Sequence, residues 1–177
     1  MDKVSPRVRS LVREFQDFPK EGILFRDITP VLMDPPAFQE VIEATCLEAR
    51  NRRAEAIVGI ESRGFVFGAP VAARMGLPFI PVRKMGKLPG PTLQAEYALE
   101  YGTNVVEIHE DALRQGQRTL IVDDLLATGG TASAAGRLVE DLGAVVAGYA
   151  FLIELAFLKG RAALEGYPVL TLLTYGD

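Results

Sequence analysis

Short apolar runs alternate along this chain with longer stretches of helical period. Behind Ser5-Pro6, a cap residue and a first-turn proline, Val8, Leu11, Val12 and Phe15 fall at i, i+3, i+4 and i+7. That spacing predicts a helix with one apolar stripe reaching Phe15. Residues 18–30, FPKEGILFRDITP, hold two prolines and a glycine, which predicts a loop or short strand. Asp34-Pro35 opens a second helix running to Arg50, with Phe38, Val41, Ile42 and Leu47 facing inward and Cys46 beside them. Ala56–Ile60 reads as a buried strand, and a small apolar helix runs from Gly64 to Gly76. A strand over Pro78–Val82 and a hairpin arm over Thr92–Ile108 follow. Thr119–Val122 is another β-branched, apolar run, with Asp123 and Asp124 placed where it should leave the sheet. A loop over Leu125–Thr131 then leads into a helix over Ala132–Leu142. Tyr149–Leu155 is a strand that brings Glu154 to its end, and Lys159–Leu164 is a short helix. Pro168–Tyr175 is a last strand, expected at an edge because it opens with proline.

Strand, loop and helix therefore recur in order, which predicts an α/β fold with a central, mostly parallel twisted sheet flanked by helices. A length of 177 residues fits a single domain over 1–177. Apolar residues make up 49% and charged residues 24%, an ordinary soluble balance. The net charge of −4 gives no global field to attract nucleic acid. One cysteine excludes an internal disulfide and a cysteine-built metal site. The N-terminus is charged and lacks a signal-peptide core, and no apolar run is long enough to span a membrane, so a cytoplasmic protein is expected.

Ligands of such sheets bind at the carboxyl ends of the strands, and three stretches there carry chemistry. The first is Thr119–Thr131, TLIVDDLLATGGT. A strand, a loop with two glycines and two threonines, and a helix start make an anion cradle of backbone N–H groups. No lysine lies in the loop, which excludes the nucleoside-triphosphate loop GxxxxGK[ST]. Two carboxylates beside a phosphate site suit a sugar phosphate, with the acids accepting from ribose hydroxyls. The second is Glu61-Ser62-Arg63. A structural salt bridge fits these residues as well as an anion site does, although arginine's planar fork suits phosphate oxygens. The third is RKMGKLPGP, Arg83–Pro91, where three cations, two glycines and two prolines suit a mobile, positive lid or a solvated hairpin loop.

VDDLLATGGTA resembles the phosphoribosyl-pyrophosphate (PRPP) signature of the type I phosphoribosyltransferases. FPKEGILFRDITP, ESRGF, RKMGKLPGPT and YALEYG are similar to blocks of the adenine group of that family. The resemblance implies the type I fold, with a small N-terminal hood from about residues 1–34 and a flexible lid over about 83–105. It implies that Asp123 and Asp124 hold the ribose and that Ala127, Thr128, Gly129, Gly130 and Thr131 hold the 5-phosphate. Glu61, Ser62, Arg63, Arg83, Lys84 and Lys87 would form the pyrophosphate side. Phe25, Ile23, Arg26 and Leu125 would form the adenine side, with Phe25 stacked on the ring and backbone groups reading the base edge. Glu100 is implied as the catalytic acid/base, and Mg2+ as an ion carried by PRPP and pyrophosphate oxygens rather than by a protein cage. His109, the single histidine, receives no role.

The activity so implied is synthesis of AMP and pyrophosphate from adenine and PRPP by a homodimer, with no nucleic-acid or membrane partner. Catalysis would be positioning plus neutralisation of departing charge. Two other readings stay open on the residues. A xanthine- or hypoxanthine-type transferase would share the cradle, and a PRPP-sensing regulator would use it without catalysis.

Overall fold

The computed structural model describes residues 2–98 and 103–176. In chain order the elements are α1 (Pro6–Leu11), β1 (Arg13–Phe15), β2 (Phe25–Asp27), α2 (Thr29–Met33), α3 (Pro35–Asn51) and β3 (Ala56–Ile60). There follow α4 (Arg63–Met75), β4 (Phe79–Lys84), β5 (Thr92–Ala98), β6 (Thr103–His109), β7 (Arg118–Leu126), α5 (Gly130–Asp141), β8 (Val145–Leu155) and β9 (Val169–Tyr175). Two 3-10 turns, Ala156–Leu158 and Gly160–Leu164, lie between β8 and β9.

Among the described residues seven strands form one sheet in the order β5-β6-β4-β3-β7-β8-β9. β4, β3, β7, β8 and β9 run parallel, while β6 is antiparallel to both β4 and β5. The parallel strands are covered on both faces, which is why they read as continuous apolar runs. Side chains alternate between two cores. Ile121 and Phe151 pack on the α5 side with Ala135 and Leu138. Leu120, Val122 and Leu152 pack on the α3–α4 side with Val41, Cys46 and Phe67. Each large apolar side chain among them stabilises the fold by about 1.5–3 kcal/mol through burial.

The order of strands creates the site. From β3 the chain crosses through α4 to β4 on one side, and from β7 it crosses through α5 to β8 on the other. β3 and β7 are neighbours, paired from Ala56↔Thr119 to Gly59↔Val122. The loops after them therefore open side by side at the point where the winding reverses, the usual ligand crevice of an open α/β sheet. Gly64, at the start of α4, lies against the middle of β7. A Cβ on it would come within 2.7 Å of the Val122 carbonyl and 3.0 Å of Asp123 Oδ1.

Several expected boundaries move. The first helix ends at Leu11, and Phe15 leaves its stripe to pair with Phe25 in a two-stranded antiparallel ribbon. Phe15 is exposed, because ribbon pairing with β2 overrides the helical period. Leu47 also faces solvent, while Cys46 takes the inner position on α3. α2 forms within the stretch 18–30 and just beyond it, where only a loop or strand is expected. β7 does not end at Val122 but continues through Asp123 and Asp124 to Leu126, held by pairing with β8 as far as Leu126↔Glu154. The cradle loop is accordingly only residues 127–129, and α5 starts at Gly130. Arg83 and Lys84 of the expected lid are the last residues of β4. β9 is an edge strand, as its opening proline predicts.

Candidate active site

At the mouth of β7, consecutive carboxylates serve two adjoining cavities. Asp123 lines a cavity of about 70 Å3 walled by Leu126 and residues 127–132. Asp124 lines a second, of about 110 Å3, with Phe25, Arg26, Arg63, Leu125 and Ile153. The alternation of a strand sends neighbouring side chains to opposite sides, and it does so here because β7 persists through both acids.

The smaller cavity has the make-up expected of an anion cradle. Gly129 adopts the left-handed conformation at φ +82° and caps α5, whose first bond runs from Ser133 N–H to the Gly129 carbonyl at 2.9 Å. The free N–H groups at the start of this twelve-residue helix and its dipole favour an anion. Behind the loop stands Gly160, from the turn after β8. A Cβ on Gly129 would lie 2.5 Å from the Gly160 carbonyl, and one on Gly160 would lie 2.2 Å from the Ala127 carbonyl. Two glycines thus let two backbones touch. Arg161 fixes that turn by donating from Nε and Nη2 to Glu154 at 2.7 and 2.8 Å. Glu154 also accepts from Thr171 at 2.9 Å and is buried. It lies near the working edge, as expected, but in service of a scaffold.

The larger cavity is mostly apolar. Phe25 stands in it half-buried, braced edge-to-face by Phe18 at 5.0 Å between ring centroids. Ile23 is exposed on the same segment. Arg26 is buried, and its guanidinium packs over the Tyr175 ring at 4.0 Å from the centroid. Leu125, with Ile153 and Leu155 from the end of β8, completes the walls. Nothing in the sequence singles out Ile153 and Leu155. Their apolar run looks like core, and only their place at a strand's carboxyl end, beside Glu154, points to a site.

Arg63 bridges β7 and the Phe25 segment within the larger cavity. Its Nε lies 2.9 Å from Asp124 Oδ2, and its guanidinium carbon lies 5.8 Å from the Phe25 ring centroid. Asp123 Oδ1 accepts from the Asp124 N–H at 2.8 Å. Burial, then the neighbouring Asp124 charge, raise the Asp123 carboxyl well above the usual aspartate range. Burial raises Asp124 as well, against the pull of Arg63. The pair holds protons more tightly than free aspartates do.

On the far side, Glu61 leaves β3 and binds β4. It accepts from Arg83 Nη2 and Nε at 3.0 and 3.3 Å and from the Lys84 N–H at 3.0 Å. Arg83, first among its partners, holds the Glu61 carboxyl below the usual range. Arg83 Nη1 also donates to the Lys87 carbonyl at 2.8 Å. Lys84 and Lys87 are exposed, and Ser62 stands at the cap of α4. Glu100 lies outside the described residues. His109 Nε2 is 2.9 Å from the Pro89 carbonyl, at the base of the loop. Among the described residues no group of three or more His, Cys, Asp or Glu side chains could hold a metal ion, and no helix is long and apolar enough to cross a membrane.

Known proteins resemble this chain in sequence and fold. A family model described as the phosphoribosyl transferase domain matches residues 33–166. An adenine phosphoribosyltransferase of Anaeromyxobacter dehalogenans is 54% identical over 168 residues, covering 95% of this chain and 98% of the relative. The crystal structure of the adenine phosphoribosyltransferase of Thermoanaerobacter pseudethanolicus superposes with a TM-score of 0.93 at 53% identity, covering 96% of this chain and 98% of that one. That of Saccharomyces cerevisiae, complexed with an imino-altritol bisphosphate and adenine, gives 0.90 at 46% identity, covering 94% and 97%.

Proposed function

The chain belongs to the phosphoribosyltransferase family as an adenine phosphoribosyltransferase, and we propose that its two adjoining cavities divide the substrates between them. The enzyme makes AMP and pyrophosphate from adenine and PRPP, a purine-salvage reaction. In this reading the cradle at 127–131 takes the 5-phosphate, Asp123 and Asp124 accept from the ribose hydroxyls, and the apolar cavity takes adenine. Phe25 stacks on the ring, Leu125 and Ile153 close its other side, and backbone groups of Ile23 to Arg26 meet its polar edge. The Arg26 side chain, engaged on Tyr175, supports the hood from behind.

Chemistry then follows from placement. The bond from the ribose anomeric carbon to the pyrophosphate oxygen breaks, that carbon bonds to adenine N9, and N9 gives up its proton. We assign that proton to Glu100. Arg63, Lys84 and Lys87 neutralise the departing pyrophosphate. Glu61, tied to Arg83, acts on that side by holding β4 and the loop root. For Arg63 to reach the pyrophosphate it has to leave Asp124, so the ion pair marks the resting arrangement. Phosphoribosyltransferases generally use magnesium, and the described residues fit an ion delivered on PRPP better than one kept in a protein cage. Bound there, magnesium would neutralise phosphate charge, with Asp123 and Asp124 within the ribose shell. We assign the hood to about residues 1–34, the lid to about 83–105, and the active form to a cytoplasmic homodimer.

The observation that carries the reading is the apolar cavity under Phe25 sharing Leu125 with the cradle and taking Asp124 from the strand that enters it. Purified protein with PRPP, magnesium and each purine base tests it. AMP from adenine, unaffected by excess hypoxanthine or xanthine, is the expected result. Preferred use of either oxopurine would overturn the base assignment.

A further inference from the structure

Behind the cationic loop lies a carboxylate that the reaction does not use. Glu107 sits on β6, beside Arg83 of β4 and Gln94 of β5 in the ladder, and only 2% of it is exposed. Its strand neighbours Val106 and Ile108 are core residues. Glu107 Oε1 accepts from the Lys87 N–H and the Leu88 N–H, both at 2.9 Å, and Oε2 stands 3.4 Å from Thr92 Oγ1. The Lys87 N–H also closes the turn onto the Lys84 carbonyl at 3.2 Å. Gly86, at φ +78°, bends the chain so that successive N–H groups face one way, which is the concavity that binds anions. Here the protein supplies the anion itself. Burial raises the carboxyl, yet the amides of Leu88, Lys87 and Gly86 outweigh it and hold Glu107 below the usual glutamate range.

A surface turn does not need this. Water could satisfy its N–H groups at no desolvation cost, whereas an ionised carboxylate is expensive to bury. What the carboxylate adds is one placement of the turn. The backbone of Lys87 is gripped from both sides, its N–H by Glu107 and its carbonyl by Arg83, which Glu61 holds in turn. The Lys87 side chain remains exposed above that clamp. We propose that Glu107 is a positioning residue for PRPP and pyrophosphate binding, acting through the main chain of Lys87. This rests on the reading that Lys87 meets pyrophosphate.

Steady-state kinetics for both substrates on the intact enzyme, with a thermal melt of each variant, tests it. Lys87→Ala should raise KM for PRPP about tenfold. Glu107→Ala should do the same while KM for adenine stays within about twofold, since the base cavity is built from other strands. Glu107→Gln keeps an oxygen where Oε1 stands and should restore part of the loss. In a Lys87→Ala background, Glu107→Ala should add less than about twofold. If Lys87→Ala leaves KM for PRPP unchanged, the pyrophosphate reading of the loop falls, and the proposal with it. If Lys87→Ala behaves as expected but Glu107→Ala multiplies in full upon it, or raises both KM values together, only the proposal is overturned. Should Glu107→Ala fail to fold, Glu107→Gln takes its place: a smaller rise in KM for PRPP that vanishes in the Lys87→Ala background supports the proposal, and one that persists there overturns it.

Discussion

Phe25 and Asp123 are the residues on which the division of the site turns. Phe25→Ala removes a ring held by Phe18 and should cost the stacking worth about 1–3 kcal/mol. KM for adenine should rise about tenfold or more while KM for PRPP changes little, and the contrast is readable in one pair of saturation curves. Asp123 makes a pH prediction. Its folded pKa is raised, so between the ordinary aspartate value, about 3.9, and the raised one the folded enzyme binds the proton that the unfolded chain releases. Stability of the free enzyme therefore falls as pH rises through that interval. PRPP needs the acceptor form, so KM for PRPP should climb as pH falls through the same interval. Asp123→Asn should make that climb shallower, leaving the share of Asp124, whose carboxyl is raised as well, at the cost of weaker PRPP binding overall. A pH profile of KM for PRPP that keeps its shape in Asp123→Asn would contradict the assignment. At this scale much was legible in the chain. The place of adjacent acids before a Gly/Thr loop, at the mouth of a strand, was legible. Ile153, Leu155 and Glu107 were not, because an apolar strand end and a hairpin acid look the same whether or not they line a site.

The elements add what residues alone do not. The cradle is short because β7 runs on to Leu126, and the turn at Gly160 backs it with main chain against main chain. Gly160→Ala should force the Ala127 carbonyl away and cost about 1–3 kcal/mol of stability, as overpacking does. Since the displaced group belongs to the loop we assign to the 5-phosphate, calorimetry should show AMP binding weakened by about tenfold. Loss of stability with AMP affinity intact would mean that the turn, not the loop, gives way. The sequence predicts a strand, loop and helix here but not their limits. Pairing with β8 extends the strand, and the turn that supports the loop lies about thirty residues further along the chain. A separate pairing, of β1 with β2, takes Phe15 from its helical stripe and makes it a partner of Phe25.

Across the whole molecule, the fold class could be read from β-loop-α repetition, but the site could not be assembled from it. The adjacency of β3 and β7 comes from the crossing of α4 and α5 to opposite sides, and that adjacency sets Arg63 against Asp124. The segment of Phe25 and the loop after β7 meet where the winding reverses, and the cationic loop leaves β4, the strand beside β3, where Glu61 holds its root. The central claim is that they meet around a single nucleotide. A crystal structure of this protein with AMP bound addresses it most directly. We expect the phosphate on the main-chain N–H groups of residues 127–131, the ribose hydroxyls on Asp123 and Asp124, and the base between Phe25 and Leu125. AMP bound with its phosphate outside that loop, or its base away from Phe25, would contradict the account.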